Sequence, residues 1–354
     1  MSPMNNPFSG GKGPIFVTNA DGDKGFAIAQ HMLQFTKKYQ HIPRYPIYAG
    51  LPDASTDRAQ SLQEQGATVR AFDIFNDHKA AVDALRDVAK LCLVVDPLSE
   101  RISRANAFAY AKAFIDAAHE ANVHHIIFLT PFSPLDPVTP PASPSTTADP
   151  SQCASLSDPT TYRSQYMLIE SYLRTRFDNT TIVRYPGILY QHLRVFRKYI
   201  SEHNAFPLPV EHLEFAVESS SLLDIAHAAA CIAHSPTLRH SASVYKLTGP
   251  QLLTLEEVSA RVMTGLRRDD GSVNHVDLDV LSQILYESIG NREHVAFLLE
   301  VWGLQQLQKI GRRFEITRDL EALTGQSGKT LNEFFEDDHV QDTFRSPKPA
   351  PFVA

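Results

Sequence analysis

The stretch Ile15 to Met32, IFVTNADGDKGFAIAQHM, decides the fold. A short apolar run breaks after Val17 into a glycine-bearing turn, and apolar residues then return at helical spacing, which predicts strand, tight turn and helix. In a dinucleotide-binding βαβ unit such a turn lets backbone approach a pyrophosphate, which rests on the positive end of the helix. Gly22 and Gly25 stand where the second and third glycines of a G-x-x-G-x-x-G turn belong, and Asn19 stands where the first belongs. Asn tolerates positive φ better than most residues, so the turn survives, but its side chain takes room beside the phosphates. Asp21 and Asp23 bring negative charge toward an anion, and Lys24 is the one favourable charge there. A βα turn that binds nothing is the competing reading.

Outward from this stretch, the composition is that of a globular chain. With 354 residues and 43% hydrophobic side chains, it can bury one large α/β domain plus a smaller lobe. A net charge of −7 argues against a nucleic-acid-binding surface spread over the protein. Cys92, Cys153 and Cys231 are far apart, with no ligand spacing to His, so neither a disulfide framework nor a metal site is expected. No stretch approaches eighteen apolar residues and Met1 to Gly13 lacks an apolar segment, so neither a membrane span nor a secretory signal is expected; a cytoplasmic or nuclear location is.

The βα pattern repeats. Strands are expected at 15–18, 45–51, 68–72, 91–95, 126–130 and 180–184, with helices at 55–65, 78–88, 105–121 and 162–176 between them. Leu91 to Val95, LCLVV, is continuously apolar, as strands buried on both faces are. Their order predicts an α/β fold, a doubly wound parallel sheet with its cleft at the carboxyl ends of strands one and four. The segment 131–160 is too rich in Pro, Ser and Thr to fold alone; it holds Ser133-Pro134, Thr139-Pro140 and Ser143-Pro144, and is either a solvated insertion or a modifiable surface for a protein partner. A helix over 190–200 carrying Arg194, Arg197 and Lys198 is a second candidate partner or anion face, or a plain solvated surface. Helical candidates over 222–234, 255–266, 278–289, 294–310 and 331–337 follow, with a short strand at 243–247. The expected organisation is a flexible 1–13, a Rossmann-like domain over 14–250, a helical lobe over 251–343 and a flexible 344–354.

Taken together, TNADGDKG at 18–25, QGATVRAFDIFND at 65–77, IESYL at 169–173, TIVRYPGIL at 181–189, DIAHAAA at 224–230, YKLTGPQLLTLEEVS at 245–259 and TRDLEALTG at 317–325 resemble the NmrA-like family of atypical short-chain dehydrogenase/reductases. That resemblance implies NAD or NADP as ligand, with Asn19, Ala20, Gly22, Asp23, Lys24 and Gly25 around the pyrophosphate, Asp73 and Ile74 near adenine, and Thr130 near the nicotinamide ribose. It also implies three departures. Asn19 replaces a glycine, about Pro52 falls where an arginine usually meets the 2′-phosphate of NADP, and Tyr166 falls where reductases carry their active-site lysine, four residues before Glu170. The second tilts any preference toward NAD; Arg58 is either a solvated residue of a polar helix or, with another cation as the alternative, the replacement that would restore NADP. The third removes the Tyr-x-x-x-Lys dyad and with it any assigned catalytic residue; Tyr162, Tyr166 and Tyr190 are candidate proton donors. The expected function is therefore an NAD(P)-binding regulatory or redox-sensing protein with a degenerate site. The alternative is an NAD(P)-dependent oxidoreductase of a small carbonyl, quinone or enone.

Overall fold

The computed structural model describes residues 11–38, 44–133, 160–209, 215–268, 270–310 and 313–345. Seven strands form one parallel sheet: β1 (Ile15–Val17), β2 (Ile47–Leu51), β3 (Thr68–Ala71), β4 (Lys90–Val94), β5 (His125–Thr130), β6 (Thr180–Arg184) and, out of numerical turn at one edge, β11 (Ser243–Lys246). Their spatial order is β11-β6-β5-β4-β1-β2-β3. The order reverses between β1 and β4, where Ile15 pairs with Ile47 on one side and with Lys90 on the other. Such a reversal opens a crevice at the strands' carboxyl ends.

Helices cover both faces. On one, α1 (Asp23–Lys38), α2 (Asp57–Gln65) and α7 (Leu222–His234) bury Ile28, Met32, Leu62, Ile225 and a run of small alanines against the sheet. On the other lie α3 (His78–Leu85), α4 (Ala107–Glu120) and α5 (Tyr162–Arg176), with Phe114, Ile115, Ile169 and Leu173 inward. The helix limits follow local chemistry. Thr56 caps α2 by accepting from the Ala59 N–H, and Gly66 closes it at φ 109°, a left-handed angle that suits glycine.

The remaining chain forms short pairings and a helical lobe. β7 (Ile188–Leu189) pairs with β10 (Ser219–Ser220), β9 (Ala216–Val217) with β12 (Leu253–Thr254), and β8 (Ala205–Pro209) with β13 (Ser272–Val276). The lobe is built from α8 (Leu255–Gly265), α9 (Leu278–Ile289), α10 (Arg292–Gly303) with a following 3-10 turn (Leu304–Ile310), α11 (Asp319–Thr324), α12 (Leu331–Phe335) and α13 (Asp338–Arg345).

Three expectations are corrected. Residues 190–200 are not one helix with a basic outer face: Tyr190–Phe196 is a buried 3-10 turn, Arg194 is only 6% exposed, and α6 (Arg197–His203) begins after it. The long helix over 294–310 is α10 followed by 3-10 winding. The tail does not begin at 344, because Phe344 is buried with its ring 5.1 Å from that of Phe335. The proline-directed positions Thr139 and Ser143 lie outside the described residues, as do 1–10 and 346–354.

Candidate functional site

The turn after β1 is built as its sequence requires. Asn19 adopts φ 53°, the left-handed angle a glycine would otherwise supply. Its carbonyl accepts from the Gly22 N–H at 2.9 Å, and Ala20 N–H donates to Gly50 O at 3.0 Å. Gly25 is needed for close packing: a Cβ there would lie 2.0 Å from the Asn19 carbonyl oxygen and 2.7 Å from that of Thr18. Both are backbone atoms with little freedom to retreat, so Gly25→Ala is expected to cost about 1–3 kcal/mol, the usual range for overpacking. Urea unfolding of the variant measures it, and an unchanged midpoint would contradict the packing.

Side chains crowd this turn. A Cβ on Gly22 would lie 2.2 Å from Asn19 Oδ1, so the Asn19 side chain fills the space that the glycine leaves, and its Nδ2 donates to Ser99 Oγ at 3.2 Å. Asp96, two residues past β4, lies at the helix N-terminus: its Oδ1 is 2.5 Å from Lys24 Nζ and its Oδ2 accepts from Lys24 N at 3.5 Å. Both side chains are buried, at 2% and 1% exposure. Burial would raise the Asp96 carboxyl, but the Lys24 ammonium overrides it and holds the carboxyl below its ordinary range. The negative charge favoured at a helix N-terminus is thus supplied from within the chain.

Two more carboxylates face the same region. Burial raises the Asp23 and Asp21 carboxyls, with Arg58 opposing in each case. Arg58 donates to the Asp21 carbonyl and pairs with the Asp23 carboxylate. Both contacts hold its guanidinium against the turn. Beside the turn, Asn19, Asp21, Pro52, Ile74, Arg101 and Tyr110 line a slot of about 10 Å³, room for about one water. Arg101 Nη2 reaches Asp73 Oδ1 at 2.8 Å beside it.

Across the crevice, α10 covers the ends of β4 and β5. Lys24 Nζ lies 5.7 Å from the Phe297 ring centroid. Phe297 packs edge-on against Tyr162 and Phe132, with centroids 5.6 and 6.0 Å apart. Val301 crowds Gly187, where a Cβ would come 2.3 Å from Val301 Cγ1. Glu300 accepts from the N–H groups of Tyr162 and Arg163 at 2.9 and 2.7 Å, so α10 caps the start of α5. His192 is buried, and burial with the nearby Lys24 charge pushes it down to about 3.

The three tyrosines are not gathered around one reacting position. Tyr166 packs on Phe132 and Tyr162 on Phe297, but Tyr190 lies against the C-terminal lobe, its ring on Phe334 and its hydroxyl donating to Lys329 O at 3.1 Å. The Tyr166 hydroxyl donates to Val95 O, and complete burial raises it well above the ordinary phenol range. Burial also raises Tyr162, whose hydroxyl is 3.5 Å from Glu293 Oε2. Thr130, at the end of β5, is wholly buried. Sequence reading missed Asp96, Ser99, His192 and the α10 residues. Asp96 carried a signal, a carboxylate closing an otherwise apolar strand, whereas α10 lies nearly two hundred residues further on and carries none. Among the described residues no group of His, Cys, Asp and Glu is arranged to hold a metal, and no helix is long and apolar enough to cross a membrane.

Comparison with known proteins bears on the fold. No curated protein matches the chain. Among solved structures, the Citrobacter sp. triphenylmethane reductase shares 18% identity at a TM-score of 0.67, covering 94% of this chain and 100% of that one. The Escherichia coli NADPH-dependent quinone oxidoreductase, complexed with NADPH, shares 21% at 0.66, covering 91% and 98%. The negative transcriptional regulator NmrA, in complex with NAD, shares 15% at 0.61, covering 92% and 95%. Likeness at these identities is likeness of fold. The sequence model of the NmrA-like family matches residues 11–141. The matched residues carry β1 to β5 and the glycine turn.

Proposed function

We propose that the chain is a regulatory protein of the NmrA-like type that binds a nicotinamide dinucleotide weakly, with NAD favoured over NADP, and does not catalyse hydride transfer. The observation that carries the reading is Tyr166. Where the resemblance would put a reductase lysine, this side chain is wholly buried and spends its hydroxyl on Val95 O. It offers no cation to a ribose and no accessible acid to a substrate carbonyl. The commitment of Arg58 to Asp21 and Asp23 supports the NAD preference, because an unpaired 2′-phosphate forgoes a charge-assisted hydrogen bond worth about 1.5–3 kcal/mol. The family match and the shared fold with proteins crystallised with NAD and NADPH support a dinucleotide as the ligand class.

Calorimetric titration with NAD, NADH, NADP and NADPH, run beside an NAD(P)H absorbance screen over quinones, aldehydes and enones, tests this. The expected result is measurable binding of NAD or NADH without turnover. Turnover that disappears in Tyr162→Phe would instead establish the alternative, an NAD(P)-dependent oxidoreductase, the class to which two of the structural neighbours belong.

A further inference from the structure

Helix α10 and its 3-10 continuation run across the carboxyl ends of the central strands, and the seam beneath them is incompletely satisfied. Two buried polar atoms there have no hydrogen-bond partner, Ser133 Oγ on the sheet side and Gln305 Oε1 on the strap side, and Thr130 Oγ1 at the end of β5 and His294 Nε2 in α10 also have none. Their residues are between 0% and 9% exposed. A buried polar atom without a partner costs as much as the hydrogen bond it forgoes, so native interfaces seldom accumulate them. Ser133 and Gln305 share a cavity of about 20 Å³ with Gly187 and Val301, room for a water or two. The strap's outer anchorage is polar. Arg104 meets Glu293 through its backbone N–H, Nε and Nη2 at 3.1, 3.2 and 2.9 Å, and this pair is partly solvated, at 42% and 34% side-chain exposure.

We infer that residues 292–310 are a displaceable strap: they occupy the nicotinamide half of the cleft, and a dinucleotide enters by lifting them away from Thr130, Ser133 and Gly187. This rests on the dinucleotide reading above and adds its regulation. A carboxamide and ribose hydroxyls carry both donors and acceptors, the chemistry that Ser133 Oγ and Gln305 Oε1 lack in the closed seam. The Asp96 carboxylate plays the matching part at the other half, holding Lys24 where a phosphate would compete for it. Affinity is then reduced by the fraction of chains in which the strap is closed, and weakening the anchorage raises it.

The test uses the full chain and its Glu293→Ala variant, which removes the partly exposed anchor and leaves the buried face intact. NAD is titrated into both by calorimetry, and amide hydrogen exchange is followed in the unliganded wild type. The expected result is NAD binding about fivefold tighter in the variant, the factor that loss of one modest ion pair supplies. Exchange in α10 is expected to proceed through an opening well below global unfolding, while β4 and β5 exchange only globally. Equal NAD affinity in the two proteins, or α10 amides that exchange only with the whole fold, would overturn the strap and leave the dinucleotide reading standing. Absence of NAD binding to both proteins at millimolar concentration would overturn both.

Discussion

Lys24→Met is expected to destabilise the protein by about 3–5 kcal/mol, the cost of leaving a buried charge without its partner. The Asp96 carboxylate has Lys24 Nζ at 2.5 Å and lies at 1% exposure, beneath Phe297 and beside His192, where water cannot replace the lost ammonium. Asp96→Leu alone should cost a comparable amount, for it strands Lys24 instead. The double variant Lys24→Met/Asp96→Leu should recover most of the loss, because replacing both members of a buried pair by apolar groups of similar size is often neutral or better. Urea unfolding of the four proteins completes the cycle. Single losses that add in the double variant would show that the two side chains are not coupled, and would remove the ground for treating Asp96 as the internal anion of the site.

That pair also shows what the sequence could and could not disclose. The glycine turn, the apolar β4 and the capped helices are local: Gly66 ends α2, Thr161 caps α5 and LCLVV is a strand because its own residues require it. The parallel sheet follows from repetition of such units. Asn19 at positive φ, with its side chain crowding the turn, was likewise legible from residue type and position. What fills the crevice was not. Asp96 comes 72 positions after its partner Lys24, and Phe297 and Glu300 come from a helix whose own periodicity marks only an apolar face. The two-residue strands β7, β9, β10 and β12 are set by tertiary pairing rather than propensity, and β13, with Asn and His inside, lacks the β-branched pattern that would have announced it. Arg194 is the opposite case: charge marks surface in a sequence, but all of Tyr190–Phe196 is buried.

Stability is expected to fall steeply as the pH drops from about 6.5 toward 3; His125 and His192 set the lower end of that window, and His240, pushed down to about 4 chiefly by burial, acts in the same direction. His125, in β5, bonds through Nε2 with Thr181 Oγ1 at 2.8 Å and is wholly buried. Burial first, then the positive charges of Lys90, His240 and His124 facing it, push it down to about 3. His192 is pushed to about 3 by burial and the nearby Lys24 charge, with the Asp96 carboxylate opposing. In the unfolded chain both titrate near 6.5. Above that pH neither state binds the proton and these groups contribute no pH dependence. Below it the unfolded state takes up protons that the folded state refuses, so stability declines with falling pH until the folded values are reached. Each histidine contributes about 1.4 kcal/mol per pH unit across the window. Asp96 adds to the loss at its lower end, because its depressed carboxyl favours the fold only while ionised. Asp21, Asp23 and Glu300 act oppositely, their carboxyls being raised by burial, so that protonating them recovers some stability as the pH falls. Their offset begins below neutrality and leaves the first unit under pH 6.5 dominated by the histidines. Urea midpoints at pH 7.5, 6 and 5 measure the slope, and His125→Gln, which keeps a polar group against Thr181, should reduce it by about one proton's worth. A wild-type midpoint unchanged between pH 7.5 and 5 would mean that neither imidazole is held neutral by the fold.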